Sequence, residues 1–124
     1  GIGEPPVTEV VKQPSSPPAI TTTSSKEALA LASDLKDMDA RFFGAFWCSH
    51  CYDQKQTLGK EAMAYIPYVE CDKEGKDSQN KLCKANKIPG YPTWEINGEL
   101  FPGEQSIEEL QDVVNEIKGK LSTK

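Results

Sequence analysis

The sequence predicts a single α/β domain with a four-stranded mixed sheet flanked by helices. At 124 residues the chain is long enough for one hydrophobic core and too short for two ordinary domains. Four short apolar segments alternate with segments of helical periodicity, an order that calls for parallel crossover connections. The dipeptide Asn97-Gly98 between the last two apolar segments favours a tight turn, so we expect one antiparallel hairpin at the end of the sheet.

Residues 1–25 differ in composition from the rest of the chain and are predicted to be a flexible linker, which leaves the folded domain at 26–124. They hold five of the nine prolines, and a run of Thr and Ser occupies 21–25. A segment so poor in apolar residues cannot offset its conformational entropy by burial, and proline keeps it extended and fairly stiff. A frayed tail without a role is the alternative.

The first half of the domain is predicted to run helix, strand, helix, strand. Ser24 or Ser25 caps the first helix, ARFFGAF at 40–46 is a buried strand, and the second helix opens at the cysteine pair and ends before Pro67. YVEC at 68–71 is the second strand. The apolar positions of the two helices are Leu31, Ala32 and Leu35 in the first and Leu58 and Met63 in the second.

The second half is predicted to contain a helix at about 77–86, strands at 93–96 and 99–102, and a closing helix. The closing helix begins after Ser106, whose hydroxyl can cap it while Glu109 completes a capping box. Apolar residues recur every three or four positions along this helix and are expected to be buried. They are Ile107, Leu110, Val114, Ile117 and Leu121.

Composition excludes several classes of function. The chain has 14 Lys and Arg against 19 Asp and Glu, a net charge of -5, and no basic cluster that would mark a nucleic-acid interface. No apolar segment reaches the roughly 20 residues that span a bilayer. The N-terminus lacks the order of a signal peptide, so an exported protein would have lost its targeting segment or begun as a longer precursor. Four cysteines in a small domain favour an oxidising compartment.

The motif WCSHC places Cys48 and Cys51 where a strand gives way to a helix. Unpaired N–H groups and the helix dipole favour negative charge on Cys48 there, and the thiolate is the species that attacks a disulfide. Cys51 lies one helical turn further on and can close a ring or resolve a mixed disulfide. His50 is expected to stabilise the thiolate, which stabilises the reduced form and makes the disulfide a stronger oxidant.

A lone CxxC pair is also compatible with half of a zinc site, in which Cys71 and Cys83 supply the other two ligands. Structural zinc sites usually present two short-spaced pairs, whereas 11 residues separate this second pair. The spacing therefore disfavours zinc, and no metal is predicted. Four cysteines allow three disulfide pairings, and their number alone does not choose among them.

The segment GYPT lies about 40 residues downstream of the cysteine pair. Pro92 begins a predicted strand there, although proline cannot donate to a sheet ladder. A cis bond between Tyr91 and Pro92 would explain this position. It would place a turn beside the cysteines and leave a free backbone edge that could receive an extended substrate.

FWCSHC followed by GYPT, within this order of elements, resembles the thioredoxin fold over residues 26–121. The resemblance implies that Cys48 is the attacking thiol, that Cys51 is the resolving thiol, and that Tyr91 and Pro92 face the substrate. The first strand of full thioredoxins is missing from the pattern. Four strands therefore remain.

AFWCSHC, YVEC, the later Cys83 and YPTWEINGE are similar to the thioredoxin-like domain attached to vitamin K epoxide reductase (VKOR) homologues of cyanobacteria and plants. In that family a membrane domain passes electrons from thiols to a quinone, and a Pro/Ser-rich linker joins the two domains. The resemblance implies that Cys71 and Cys83 form a structural disulfide, with electron relay to the CxxC pair as the alternative. A bridge closing a loop of this size contributes on the order of 3 kcal/mol.

The same resemblance implies the compartment, the cofactor and the partners of the domain. The quinone belongs to the membrane domain, so no cofactor is expected in this chain. The domain is expected to be a monomer, tethered to a VKOR-type transmembrane domain in the thylakoid lumen or the periplasm, with reduced proteins as its substrates.

Three other positions bear on the direction of electron flow and on the substrate surface. Six residues before the first cysteine, cytosolic thioredoxins keep a buried aspartate that shuttles protons to the resolving thiol, whereas Phe42 stands here. Together with the histidine of the motif, this difference points towards oxidation of substrates. Trp47 is expected to be partly exposed and to contact partners, and Trp94 is expected to lie in the core.

The sequence therefore predicts a thiol-disulfide oxidoreductase. Its Cys48–Cys51 disulfide accepts electrons from a client protein through a mixed disulfide at Cys48, and a VKOR-type membrane partner reoxidises it. The alternatives are a client-binding module whose cysteines are structural, a thiol reductase or isomerase, and a zinc domain.

Overall fold

The computed structural model describes Gly3 and residues 15–123. Within them nine helices and strands follow one another along the chain. They are α1 (Lys26–Asp37), β1 (Arg41–Gly44), α2 (Ser49–Leu58), α3 (Lys60–Met63), β2 (Tyr68–Glu70), α4 (Asn80–Ala85), β3 (Thr93–Ile96), β4 (Glu99–Pro102) and α5 (Ile107–Ser122).

The four strands form one mixed sheet in the order β2-β1-β3-β4, which confirms the predicted fold class. β1 and β2 are parallel, whereas β3 is antiparallel to both β1 and β4. The expectation of parallel crossovers between all helix-separated strands is therefore wrong for β3. The connecting helix α4 has six residues and is only about 9 Å long. The chain stays at the end of the sheet where β2 finishes, and β3 runs back from there.

The hairpin and the helix caps follow local sequence signals and are confirmed. Asn97 and Gly98 both have positive φ, 53° and 81°, as the expected tight turn requires. Ser25 caps α1, and Ser106 with Glu109 forms the reciprocal capping box of α5. The apolar stripe of α5 is shorter than expected, because Leu121 is 51% exposed on a final turn that extends past the core cluster.

The predicted second helix is in fact two helices, α2 and α3, which meet at Gly59. Gly59 has a φ of 89°, which ends α2, and a Cβ on it would lie 2.7 Å from the backbone nitrogen of Ser24. The third predicted helix is also shorter, because Asp77 adopts a φ of 54° outside the helical region. β1 occupies the central part of its predicted segment, and β2 occupies the first three of its four predicted residues.

Residues 15–25, part of the predicted linker, lie against the domain. Ser15 forms a β-bridge with Gly75, and the Thr22 hydroxyl donates a hydrogen bond of 2.7 Å to the Gln56 carbonyl. Most of the remaining predicted linker lies outside the described residues. The boundary between residues 25 and 26 stays a prediction, and the described contacts with the domain begin ten residues before it.

The sheet separates two apolar clusters, because successive strand residues point to opposite faces. Phe42 belongs to the larger cluster, which also contains Trp94, with 4.8 Å between the two ring centroids. The neighbouring residue Phe43 belongs to the smaller cluster. Trp94 is fully buried, as expected. Among the described helices, none has the length and apolar character needed to cross a membrane.

Candidate dithiol active site

Cys48 is the N-cap residue of α2, at the junction with β1 where the sequence places it. Its own N–H donates to the Ala45 carbonyl in the turn after β1, and its Sγ accepts a hydrogen bond of 3.1 Å from the Cys51 N–H. Both cysteines are free, with 8% of Cys48 and 1% of Cys51 exposed. The more accessible sulfur thus receives the N–H group at the start of the helix, an arrangement that favours attack by Cys48 and resolution by Cys51.

Cys51 lies beneath Cys48, and its thiol is strongly affected by burial. Burial raises the pKa of Cys51 to about 12, and the hydrogen bond with Cys48 contributes to the same rise. The positive charge of Lys55 acts in the opposite direction. In the reduced protein Cys51 therefore holds its proton at neutral pH.

A buried carboxylate lies near the pair, at a position that is not among the predicted site residues. Glu70, the last residue of β2, accepts a 2.8 Å hydrogen bond from the Tyr68 hydroxyl through Oε1. Its Oε2 accepts from the N–H groups of Phe46 and Asp72 at 3.3 and 3.0 Å. Burial, followed by the hydrogen bond to Glu70, raises the pKa of Tyr68 well above its ordinary value. Glu70 therefore holds the turn before Cys48 against the end of β2.

Lys55 is a buried cation on α2, four residues after Cys51, and it too is not among the predicted site residues. Its Nζ lies 3.7 Å from the centroid of the Tyr68 ring. Burial lowers the pKa of Lys55, while the charges of Cys51 and Glu70 act to raise it. The spacing of four residues, which places two side chains on one helix face, was the sequence signal that could have found it.

Gln54 fixes the position of α2 relative to the hairpin. Its Oε1 accepts from the Trp94 indole at 3.0 Å and from the Gln105 N–H at 2.7 Å, and its Nε2 donates to the Gln105 carbonyl at 2.9 Å. These bonds join the active-site helix to β3 and to the residues before α5. The buried amide thus has a structural role.

Two of the predicted substrate-facing residues, Trp47 and Tyr91, are in contact, and Trp47 directly precedes Cys48 in the chain. The Tyr91–Pro92 bond is cis, which confirms the prediction. Tyr91 packs edge-on against Trp47, with 6.0 Å between ring centroids, and the Trp47 indole donates to Asp72 at 2.8 Å. Trp47 is 59% exposed, and burial raises the pKa of Tyr91. The two aromatic rings bring the CxxC segment and the cis-proline loop together at the surface.

His50 lies near the cis-proline loop. Its Nδ1 lies 3.1 Å from Oε1 of Glu104, in the segment after β4, and both side chains are substantially exposed. Both residues line a cleft of about 610 Å³ that Tyr91 and Pro92 also line. The structure thus pairs His50 with the carboxylate of Glu104. The effect of His50 on the Cys48 thiolate stays a prediction.

The second pair of cysteines is joined. Cys71, directly after β2, and Cys83, in α4, form a disulfide with a Cα–Cα distance of 5.7 Å. The pairing implied by the resemblance is therefore confirmed. Because these two sulfurs are bonded to each other, the described cysteines do not form the four-thiolate zinc site that was the alternative.

A four-stranded mixed sheet, a CxxC pair at the start of α2 and a cis-proline before β3 define this chain as a domain of thioredoxin-like fold. Comparison of the sequence with known proteins identifies a similar protein of known class. The chain is similar to the thiol-disulfide oxidoreductase LTO1 of Arabidopsis thaliana, with 42% identity over 97 residues, which is 76% of this chain and 26% of that protein. The chain thus spans about a quarter of the length of this curated relative. No protein-family model matches the sequence.

Solved structures of similar shape include two thioredoxins. A mutant thioredoxin from Halobacterium salinarum has a TM-score of 0.48 at 21% identity, covering 86% of this chain and 95% of that one. The oxidised thioredoxin of Plasmodium falciparum has a TM-score of 0.44 at 14% identity, covering 80% and 98% of the two chains.

Proposed function

We propose that this domain is a thiol-disulfide oxidoreductase that oxidises the thiols of client proteins. The observation that carries the proposal is the placement of Cys48 as the N-cap of α2, where the Cys48 sulfur accepts a hydrogen bond from the backbone N–H of the buried Cys51. N–H groups at the start of a helix favour negative charge on a nearby sulfur, and a thiolate both attacks disulfides and leaves from them. The name and the 42% identity of the relative support the same class of reaction.

The proposed reaction transfers two electrons from the client to the domain. A client thiolate attacks Sγ of Cys48 in the Cys48–Cys51 disulfide, the bond between these two sulfurs breaks, and Cys51 leaves with the electron pair. A second client thiolate then attacks the client sulfur of the mixed disulfide and releases Cys48. The client gains one disulfide, and the domain is left as a dithiol.

Two features support the oxidising direction: the residue at position 42 and the helix position of Cys48. Phe42, fully buried, stands where cytosolic thioredoxins keep the aspartate that serves reduction. The N-cap position of Cys48 favours the reduced form of the pair, and a pair stabilised in its reduced form is a stronger oxidant.

The same proposal includes how the dithiol is reoxidised. A VKOR-type membrane domain would take the two electrons and pass them to a quinone, so the thioredoxin-like domain itself would need no cofactor. The resemblance of the cysteine segments and the hairpin to that family supports this partner. The relative extends well beyond the matched region, which leaves room for further domains in that protein. The thylakoid lumen or the periplasm is the proposed compartment, and the exposed Trp47 and Tyr91 are the proposed client contacts.

The direction of electron flow is tested by equilibrating the domain with glutathione buffers and measuring its reduction potential. An oxidant is expected to have a potential well above that of thioredoxin, which is about -270 mV. A value near -270 mV would contradict the oxidising direction and would make the domain a reductase.

The exchange mechanism itself is tested by trapping. In a Cys51→Ser variant the mixed disulfide at Cys48 cannot be resolved, so client proteins should accumulate in a covalent complex that dithiothreitol releases. The matched control is Cys48→Ser, which should trap far less. If neither variant traps a client while client binding persists, the domain is a binding module with structural cysteines.

A further inference from the structure

The side chains of Lys55 and Tyr68 lie close to the buried sulfur of Cys51. Lys55 follows it by one helical turn, so both side chains lie on the same face of α2, and both are buried. A Cβ placed on Gly44 would lie 2.9 Å from Cys51 Sγ and 3.2 Å from Cε1 of Tyr68. The sulfur and the phenol ring therefore pack against the same glycine. The Lys55 ammonium lies over that ring, 3.7 Å from its centroid.

We propose that Lys55 is a positioning residue for thiol exchange, whose buried positive charge stabilises the Cys51 thiolate whenever that sulfur leaves or attacks. The inference rests on the proposed function, because it assigns a residue to the resolving half of that reaction. The bonding changes are those already given. When the client sulfur bonds to Cys48, the electron pair of the broken bond remains on Cys51. The ammonium of Lys55 offsets this new negative charge until the thiolate takes a proton from solvent.

The charged and titratable groups around Lys55 support this role. Cys48 and Cys51 face it from α2, and Tyr68 and Glu70 face it from β2. The charge of Glu70 opposes the effect of burial on the pKa of Lys55, so the carboxylate helps the amine to remain protonated. Lys55 in turn lowers the pKa of Cys51 against the larger effect of burial.

Lys55, Tyr68 and Glu70 line two clefts at the surface. Lys55 and Tyr68 line a surface cleft of about 330 Å³ between α3 and the segment before α1. Tyr68 and Glu70 line a second cleft of about 440 Å³. The side chains that neighbour the sulfur thus border solvent, while Cys51 itself lines neither cleft.

The test uses the reduced domain and the reagent 5,5′-dithiobis(2-nitrobenzoate), which releases one coloured thiol at each of two steps. In the first, bimolecular phase Cys48 attacks the reagent. In the second, unimolecular phase Cys51 attacks the sulfur of Cys48 and releases the second coloured thiol. The two phases therefore report the two cysteines separately.

In a Lys55→Met variant, which keeps the length of the side chain and removes its charge, the second phase should be about tenfold slower. This corresponds to about one unit of pKa. Its pH profile should move to higher pH by the same unit, a change that a merely structural role would not produce. Lys55→Arg, which keeps the charge, should restore the profile. Lys55→Gln serves as a second uncharged variant in case the methionine variant does not fold, as judged by circular dichroism.

The outcomes distinguish this inference from the proposed function. An unchanged second phase and pH profile in a folded, uncharged variant would overturn the role of Lys55. If the native domain itself shows no first phase that Cys48→Ser abolishes, the exchange mechanism at Cys48 fails instead.

Discussion

The domain has two pairs of cysteines, and the two pairs lie in different surroundings. Cys48 and Cys51 lie in the larger apolar cluster, at the start of a helix and next to a buried lysine, and both are free. Cys71 and Cys83 lie in the smaller cluster, with Phe43 and other apolar side chains, and are bonded to each other. Burial is common to both pairs. The free pair lies at the start of a helix and near a buried lysine, whereas the bonded pair belongs to a cluster of apolar side chains.

The two cysteine pairs also differ in where they lie relative to the helices. Cys48 caps a ten-residue helix, and its sulfur accepts an N–H hydrogen bond from the first turn. Cys83 lies inside the six-residue α4, where its own N–H donates to the Gln79 carbonyl. The Cys71 sulfur lies 3.8 Å from the carbonyl oxygen of Val69. Neither sulfur of the second pair is thus placed at a helix N-terminus to act as a nucleophile, which supports the predicted structural role of this pair over the alternative of electron relay.

The largest expected effect comes from removing the nucleophile. Cys48→Ser should reduce the rate of exchange with glutathione disulfide by about a thousandfold or more, because a hydroxyl does not supply the thiolate. The matched control is the double variant Cys71→Ser/Cys83→Ser, assayed well below its melting temperature, which should keep most of the rate. A large loss of exchange in the double variant alone would reverse the roles given to the two pairs.

Removal of the second cysteine pair should affect the stability of the domain more than its exchange rate. The double variant Cys71→Ser/Cys83→Ser should lower the free energy of unfolding by about 3 kcal/mol, because the unfolded chain loses the constraint of a closed loop. Urea denaturation with the other pair reduced measures this difference. An unchanged unfolding midpoint would show that the disulfide does not stabilise the fold.

Close packing at the exchange site gives a smaller effect. Gly44→Ala should destabilise the domain by about 1–3 kcal/mol, because the new methyl group would meet the Cys51 sulfur and the Tyr68 ring. Gly119→Ala is the matched control, since a Cβ there meets no atom within 4 Å, and it should stabilise α5 by up to about 1 kcal/mol. Thermal unfolding compares the two, and equal melting temperatures would contradict the packing described for Gly44.

The smallest effect, taken over a single pH unit, is the pH dependence of stability. In the folded, reduced domain Cys51 keeps its proton up to about pH 12, whereas an unfolded thiol loses it near its ordinary value of 9.0. The unfolded state therefore binds fewer protons in this window, and stability should fall with rising pH by up to about 1.4 kcal/mol per unit. The lowered pKa of Lys55 acts with the opposite sign and is present in both redox states.

Oxidation of Cys48 and Cys51 removes the titrating thiol. The oxidised domain should therefore lack this additional alkaline slope, which urea denaturation of both forms from pH 8 upwards would measure. Equal slopes in the two forms would contradict the burial of a protonated Cys51.

Local signals in the sequence were enough for many of these features. The dipeptide Asn97-Gly98 predicts the hairpin, Ser106 with Glu109 predicts the last helix cap, and Pro92 at a strand start predicts the cis bond. Each of these depends on a few neighbouring residues. The break between α2 and α3 was not predicted, because it depends on the approach of distant residues to Gly59.

The chemistry around Cys51 was harder to predict for the same reason. Lys55 and Glu70 are ordinary charged residues in the sequence, and they become buried neighbours only when α2 packs against β2. The antiparallel direction of β3 was not predicted, and the helix before it is shorter than expected. The histidine of the motif was assigned to the thiolate from its position alone, and its structural partner Glu104 lies 54 residues away.

One redox titration tests most directly whether the first cysteine pair exchanges electrons while the second pair remains a structural disulfide. The native domain is equilibrated in a series of glutathione buffers, its free thiols are alkylated, and each cysteine peptide is quantified by mass spectrometry. Cys48 and Cys51 should pass together through one reversible two-electron transition, while Cys71 and Cys83 stay bonded throughout the series, as structural disulfides with potentials below about -300 mV do. If Cys71 and Cys83 titrate with the first pair, or if Cys48 and Cys51 do not titrate at all, the account is contradicted.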